Sequence, residues 1–222
     1  MKRYRWLLGC CLFLSIGMLW AADEPDLRML QQKAAQSRDM EGYVGVCKYL
    51  YQTEENPELL LLYADSIHQL ATKSKKPEQL VEYYIWASEG NFIKGDFQQG
   101  YALKRKAIAL AEKAGLKFAI SQSCCDMGYY CNVDARYDSA RYYFRKGLEA
   151  GEDLSEAGEA CRTMLTNYAS SFLFEGKTDS ALVYTIRASE RSAADKDTAM
   201  LIENLNQLGT IYRRKKDLEN CI

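Results

Sequence analysis

The sequence of 222 residues predicts an all-α fold, an α-solenoid of antiparallel helix pairs, on three observations. The first is self-similarity with a period of about forty residues. Gly100, Ala140, Ala181 and Cys221 close four related segments, and a second register of small residues runs through Ser88, Gly128, Ala169 and Gly209. Both registers step by 40, 41 and 40. The second is the apolar pattern inside a unit. Cys161, Met164/Leu165, Tyr168/Ala169 and Phe172 follow the i, i+3/4, i+7/8, i+11 spacing of one helix face, with Thr163, Thr166, Asn167 and Ser170 on the other side. The third is the scarcity of breakers. Only three prolines occur, at 25, 57 and 77, and no alternating Val/Ile/Thr-rich run between turn signals competes for strand.

Taken in order, residues 1–22 read as an export signal: Lys2, Arg3 and Arg5 precede an uncharged apolar run from Trp6 to Trp20, and Ala21-Ala22 offer small residues for cleavage. That run is 15 residues long, short of the roughly 20 a spanning helix needs. Residues 23–56 are expected to form N-terminal capping helices, and 57–222 the repeats, the last of them incomplete. Helices are expected near 26–37, 39–52, 57–73, 77–93, 96–114, 117–133, 137–151, 155–175, 178–194 and 198–214. Asn56-Pro57-Glu58 supplies a cap with proline at the first helical position. Asp153-Leu154-Ser155-Glu156 reads as a capping box in which Glu156 reaches back to the cap. Connections of two to five residues force neighbouring helices to run antiparallel.

Composition narrows the function. Twenty-nine basic against 30 acidic residues give a net charge of −1, which removes the electrostatic footprint of a nucleic-acid binder. His68 is the single histidine, too few for a multi-histidine metal site, and it lies on a helix with no second group to make it a general base. Cys10 and Cys11 leave with the signal. Cys47, Cys124, Cys125, Cys131, Cys161 and Cys221 remain, none in a C-x-x-C pair, and they read as small packing residues. Gly176-Lys177-Thr178 imitates the end of a phosphate loop, but Ser171 stands where its first glycine belongs and a helix precedes it. Arg213-Arg214-Lys215-Lys216 reads as a solvated cap at a helix end. No catalytic residue, metal site or cofactor is assigned.

Leu205-x-x-Leu208-Gly209-x-x-Tyr212 and Met127-Gly128 followed by Ala140 and Phe144 carry a resemblance, as do Tyr168-Ala169, Phe172, Ala181 and Ala188. The chain resembles the tetratricopeptide repeat (TPR) family, clearly over 77–222 and faintly over 39–76. It departs from that family in its longer period, about 40 rather than 34, and in lacking the closing proline. The longer period is similar to TPR sensor regions of bacterial membrane-bound regulators.

The resemblance implies a concave groove lined by the first helix of each pair. By the family pattern it presents Glu82, Ile85, Trp86 and Glu89, then Gln122, Cys125, Asp126, Tyr129 and Asn132. Thr163, Thr166, Asn167 and Ser170 follow, and Glu203, Asn206, Thr210 and Arg213 complete it. Ile85, Cys125, Thr166 and Asn206 stand where the family's carboxylate-gripping lysines would be, which disfavours C-terminal carboxylates as ligands. The expected function is an exported, non-enzymatic TPR scaffold that binds a protein or peptide through this groove. The alternative is the extracytoplasmic sensor portion of a membrane-bound transcriptional regulator or histidine kinase. The expected location is periplasmic or otherwise extracytoplasmic, with membrane attachment through an uncleaved N-terminus or a missing C-terminal segment as a variant. An unfinished last repeat exposes Leu205, Leu208, Ile211 and Tyr212, which implies self-association or docking there.

Overall fold

The computed structural model describes residues 26–54 and 56–216. The expected export signal and the second helix of the last repeat lie outside these residues. Among the described residues the chain is all-helical, with ten α-helices in succession. They are α1 (Leu27–Ser37), α2 (Met40–Thr53), α3 (Pro57–Ser74), α4 (Pro77–Lys94) and α5 (Phe97–Ala114), then α6 (Lys117–Val133), α7 (Tyr137–Gly151), α8 (Gly158–Phe174), α9 (Thr178–Ala194) and α10 (Thr198–Lys215). All but α8 begin and end within a residue of the limits expected from periodicity.

Local chemistry accounts for most boundaries. The Asn56 side chain accepts from the Leu59 amide at 2.9 Å, with Pro57 at the first helical position. Asp39, Asp96 and Asp197 cap α2, α5 and α10 in the same way. Inside each pair the chain turns through a left-handed residue: Gly95 (φ 91°), Ala135 (φ 56°), Gly176 (φ 83°) and Lys216 (φ 60°). These positions step by 40, 41 and 40, so the backbone repeats in register with the sequence. The amides of Asp96, Arg136 and Lys177 each bond the carbonyl five residues back, at 2.8–2.9 Å, closing the preceding helix with a Schellman turn. Glycine takes this backbone without steric cost, whereas Ala135 and Lys216 are held in it by the turn.

The connection before α8 departs from expectation. The capping box at Asp153 does not form; Ser155–Ala157 make a 3₁₀ turn begun by Leu154, which provides no side-chain cap. The 41-residue step has its cause here. Ala140 to Ala169 spans one residue more than Gly100 to Gly128 or Ala181 to Gly209, and the 3₁₀ turn is the irregular part of that interval.

The chain divides into two compact units whose boundary falls inside α8, and the described residues of each are 26–167 and 168–216. In the first unit every helix from α1 to α7 packs on its neighbour in sequence, and α2 also reaches α4, the contact pattern of a solenoid. Val46, Cys47, Leu50, Leu60, Ala64, Ile67 and Trp86 form its N-terminal core. Farther along, α6 and α7 meet through small residues. A Cβ added at Gly128 would lie 2.3 Å from the Phe144 ring, and one at Gly147 would lie 2.9 Å from Cys124 Cβ. In the second unit Leu173, Ala181 and Ile211 are the buried core, with Phe172 stacked parallel to Tyr184 at 5.3 Å.

Candidate functional site

The site lies in the first unit and begins with a buried charge. Lys104, on α5, is fully buried and forms ion pairs with Glu89 of α4 and, at 2.9 Å, with Asp126 of α6. The Tyr130 hydroxyl donates to the other Glu89 oxygen at 2.8 Å, while its ring lies flat on Phe92 at 3.6 Å. Burial opposes the Lys104 charge, but Asp126 and Glu89 outweigh it and hold the ammonium above the ordinary lysine range. Burial raises the Glu89 carboxyl, which Lys104 counteracts and Asp126 reinforces. We assign Lys104 as a fixed cation, because two carboxyl groups converge on it from two helices.

A hollow of about 300 Å³ opens over this cluster. Glu89 and Asp126 belong to its lining, with Gln122 and Cys125 of α6, Thr163 and Ala160 of α8, and Tyr51 of α2. Glu156 of the 3₁₀ turn and Glu159 of α8 complete it. Four carboxyl side chains therefore line the hollow against one buried ammonium, which two of them, Glu89 and Asp126, contact, and the hollow is left acidic. Tyr51, 38% exposed, has its hydroxyl pKa pushed well up, first by the Glu89 charge and then by burial. Such a surface presents fixed hydrogen-bond acceptors and an aromatic wall to a cation.

The thiols nearby are chemically quiet. Burial pushes Cys124 up to about 12 and Cys125 well above its ordinary value, so neither supplies thiolate at neutral pH. Cys47, Cys124, Cys125, Cys131 and Cys161 are all buried. No group of three or more His, Cys, Asp or Glu able to hold a metal occurs among the described residues. His68 is exposed and stacks on Tyr83 at 4.3 Å.

Of the groove residues expected from sequence, the hollow brings together Glu89, Gln122, Cys125, Asp126 and Thr163. Trp86, 8% exposed, sits in the core and donates from its indole to Glu82 at 2.9 Å; Ile85 packs against the same core. Tyr129 is half-buried, edge-on to Tyr130. The Asn132 amide donates to the Asn167 carbonyl at 3.0 Å, and the Thr166 hydroxyl turns back to the Arg162 carbonyl. Ser170, Glu203, Asn206, Thr210 and Arg213 belong to the second unit. There Ser170 accepts from Gln207 at 2.7 Å, Glu203 and Thr210 are half-buried, and Asn206 and Arg213 are exposed.

Sequence reasoning missed Lys104, Tyr51, Glu156, Glu159 and Ala160. The first carried a signal: with a step of 40, Lys104 occupies the place of Phe144 in the next repeat. A lysine in an aromatic's register marks a repeat that buries a charge at that position.

No protein-family model matches the chain, and no curated protein is similar to it. Among solved structures it is similar to BtubC (BKLC) from P. vanneervenii, with a TM-score of 0.67 at 13% identity over 88% of this chain and 82% of that one. What is shared is the helical fold. No helix among the described residues is long and apolar enough to cross a membrane.

Proposed function

We propose that this protein is an exported, non-enzymatic TPR-like scaffold that binds an extended peptide along the first helices of its pairs. The acidic hollow receives a cationic group of that peptide, a lysine or arginine side chain or a terminal ammonium. One observation carries the reading: α4, α6 and α8, the first helices of three consecutive pairs, converge on one hollow that holds more carboxyl groups than its single buried ammonium can neutralise. Quiet thiols and a lone, stacked histidine support binding over covalent chemistry.

The test uses fluorescein-labelled nonapeptides of net charge +3, 0 and −3, titrated with the protein and followed by anisotropy. The basic peptide is expected to bind and the acidic one not, with affinity falling as salt rises. Glu156 and Glu159 are both exposed, so Glu156→Gln with Glu159→Gln removes charge without touching the core. That double variant is expected to weaken the basic peptide about 3- to 10-fold, near the upper range for exposed pairs. Equal binding of all three peptides sinks the proposal.

A further inference from the structure

The hollow over Lys104 is lined by more than acids. The Tyr51 ring stands at one wall, edge-on to Trp86 at 6.2 Å, and its hydroxyl reaches in among Glu89, Asp126, Cys125 and Tyr129. Gln122, Cys125 and Asp126 share one face of α6, while Glu156, Ala160 and Thr163 continue one face from the 3₁₀ turn into α8. Among the described residues the side chains of Tyr51, Gln122, Glu156, Glu159 and Thr163 form no hydrogen bond or ion pair. Asp126 meets Lys104 through Oδ2, which leaves Oδ1 open. Neutral and charged acceptors from α2, α6, the 3₁₀ turn and α8 therefore surround one space, and the small side chains of Cys125 and Ala160 leave it unfilled.

We propose that the hollow is a receptor for an arginine side chain, whose guanidinium lies against the Tyr51 ring with one edge toward Asp126 at the floor and the other toward Glu156 and Glu159 at the rim. The proposal rests on the reading of the hollow as the seat of a peptide's cation, and it selects among the cations that reading allows. Depth is the first reason. The Asp126 side chain is 29% exposed, against Lys104, whereas Glu156 and Glu159 are open to solvent. A guanidinium holds five N–H donors in one plane and bridges acceptors at two levels; an ammonium is a compact point charge that serves one of them. Repulsion is the second. Lys104 lies behind Glu89 and Asp126, and a charge spread toward the rim feels it less than an ammonium drawn to the floor. The third is the Tyr51 ring, a face on which a planar, weakly hydrated cation stacks. The positive end of the α8 dipole, about half a charge, opposes any cation, but together with Lys104 it falls short of four carboxyl groups.

The experiment compares three fluorescein-labelled nonapeptides of net charge +3, titrated with the full chain and followed by anisotropy. In one the cations are all arginine, in another all lysine, and in the third all asymmetric dimethylarginine, which keeps the charge but blocks paired hydrogen bonding. The arginine peptide is expected to bind about 5-fold or more tighter than the lysine peptide, and the methylated one to fall to the lysine level. Tyr51→Leu is expected to cut the arginine-to-lysine ratio to about 2-fold or less. Both peptides are read on one preparation, so any loss of folded protein cancels in the ratio. An arginine preference that survives dimethylation or Tyr51→Leu overturns the proposal. Equal binding of the arginine and lysine peptides overturns it and leaves the cationic reading standing, whereas failure of all three to bind overturns both.

Discussion

Lys104 and Phe144 hold the same position in consecutive repeats, and the two helix pairs around them differ in what is added at that position. In α6 and α7 the fastening is shape: Gly128 leaves a notch and the Phe144 ring fills it so closely that a single Cβ would collide. In α4 and α5 a ring also fills a glycine notch, Phe92 against Gly100, and charge is added to it: Lys104 reaches between Glu89 and Asp126, and Tyr130 completes the carboxylate's hydrogen bonds. The lesson concerns cost. A buried aromatic stabilises through area removed from water, whereas a buried ion cluster roughly offsets its own desolvation and adds little net stability. A lysine in place of the aromatic at this one position gives a polar floor, and over that floor the acidic hollow opens.

The comparison breaks most sharply at Lys104. Lys104→Ala leaves Glu89 buried without its cation and is expected to cost about 3–5 kcal/mol, read from urea unfolding. Replacing the whole cluster, with Lys104→Met, Glu89→Leu and Asp126→Leu together, is expected to recover most of that loss. If the triple variant is no better than the single one, the cluster is not the fastening. Phe144→Ala comes next, at about 3–4 kcal/mol for a large buried ring in a tight site. Gly128→Ala follows at about 1–3 kcal/mol, since the added methyl must displace the ring; a neutral result would mean that the two helices can move apart. Asn56→Ala, which touches neither pair, is expected to cost about 1 kcal/mol through its lost cap.

A pH series sharpens the comparison by the smallest expected margin. The Lys104 pKa is raised in the folded chain above its usual 10.5, because the opposing effect of burial is outweighed by the attraction of Asp126 and Glu89. A raised cationic pKa adds stability that is complete below the unfolded value and is lost as pH climbs through the folded one. The gap in stability between wild type and Lys104→Met is therefore expected to stay level from pH 7 to about 10 and to narrow above it. Phe144→Ala should show no such narrowing.

How much of this was legible follows from where each feature gets its energy. Asn56 and Pro57 announce a helix start because the cap bond lies within three residues. The small-residue registers announce the repeat because every pair solves the same close-approach problem. That Glu89 and Gln122 share a face with Cys125 and Asp126 was legible, since helical phase places them on one side, and the four line one hollow. Glu156 was misread as a capping partner: one extra residue before α8 turned that segment into a 3₁₀ turn, and its carboxyl went to the hollow. Trp86 and Thr166 share the groove's phase but are 8% and 3% exposed, because phase gives a direction and the neighbouring helices decide the depth.

The sequence by itself determined the helices, their order, their antiparallel turns and the forty-residue step, all of which arise from hydrogen bonds and apolar spacing within a few turns of chain. Tertiary structure alone decided that Lys104 is buried with its charge intact. Glu89 lies 15 residues before it and Asp126 22 after. Neither can offset the desolvation of an ammonium until three helices have packed around it.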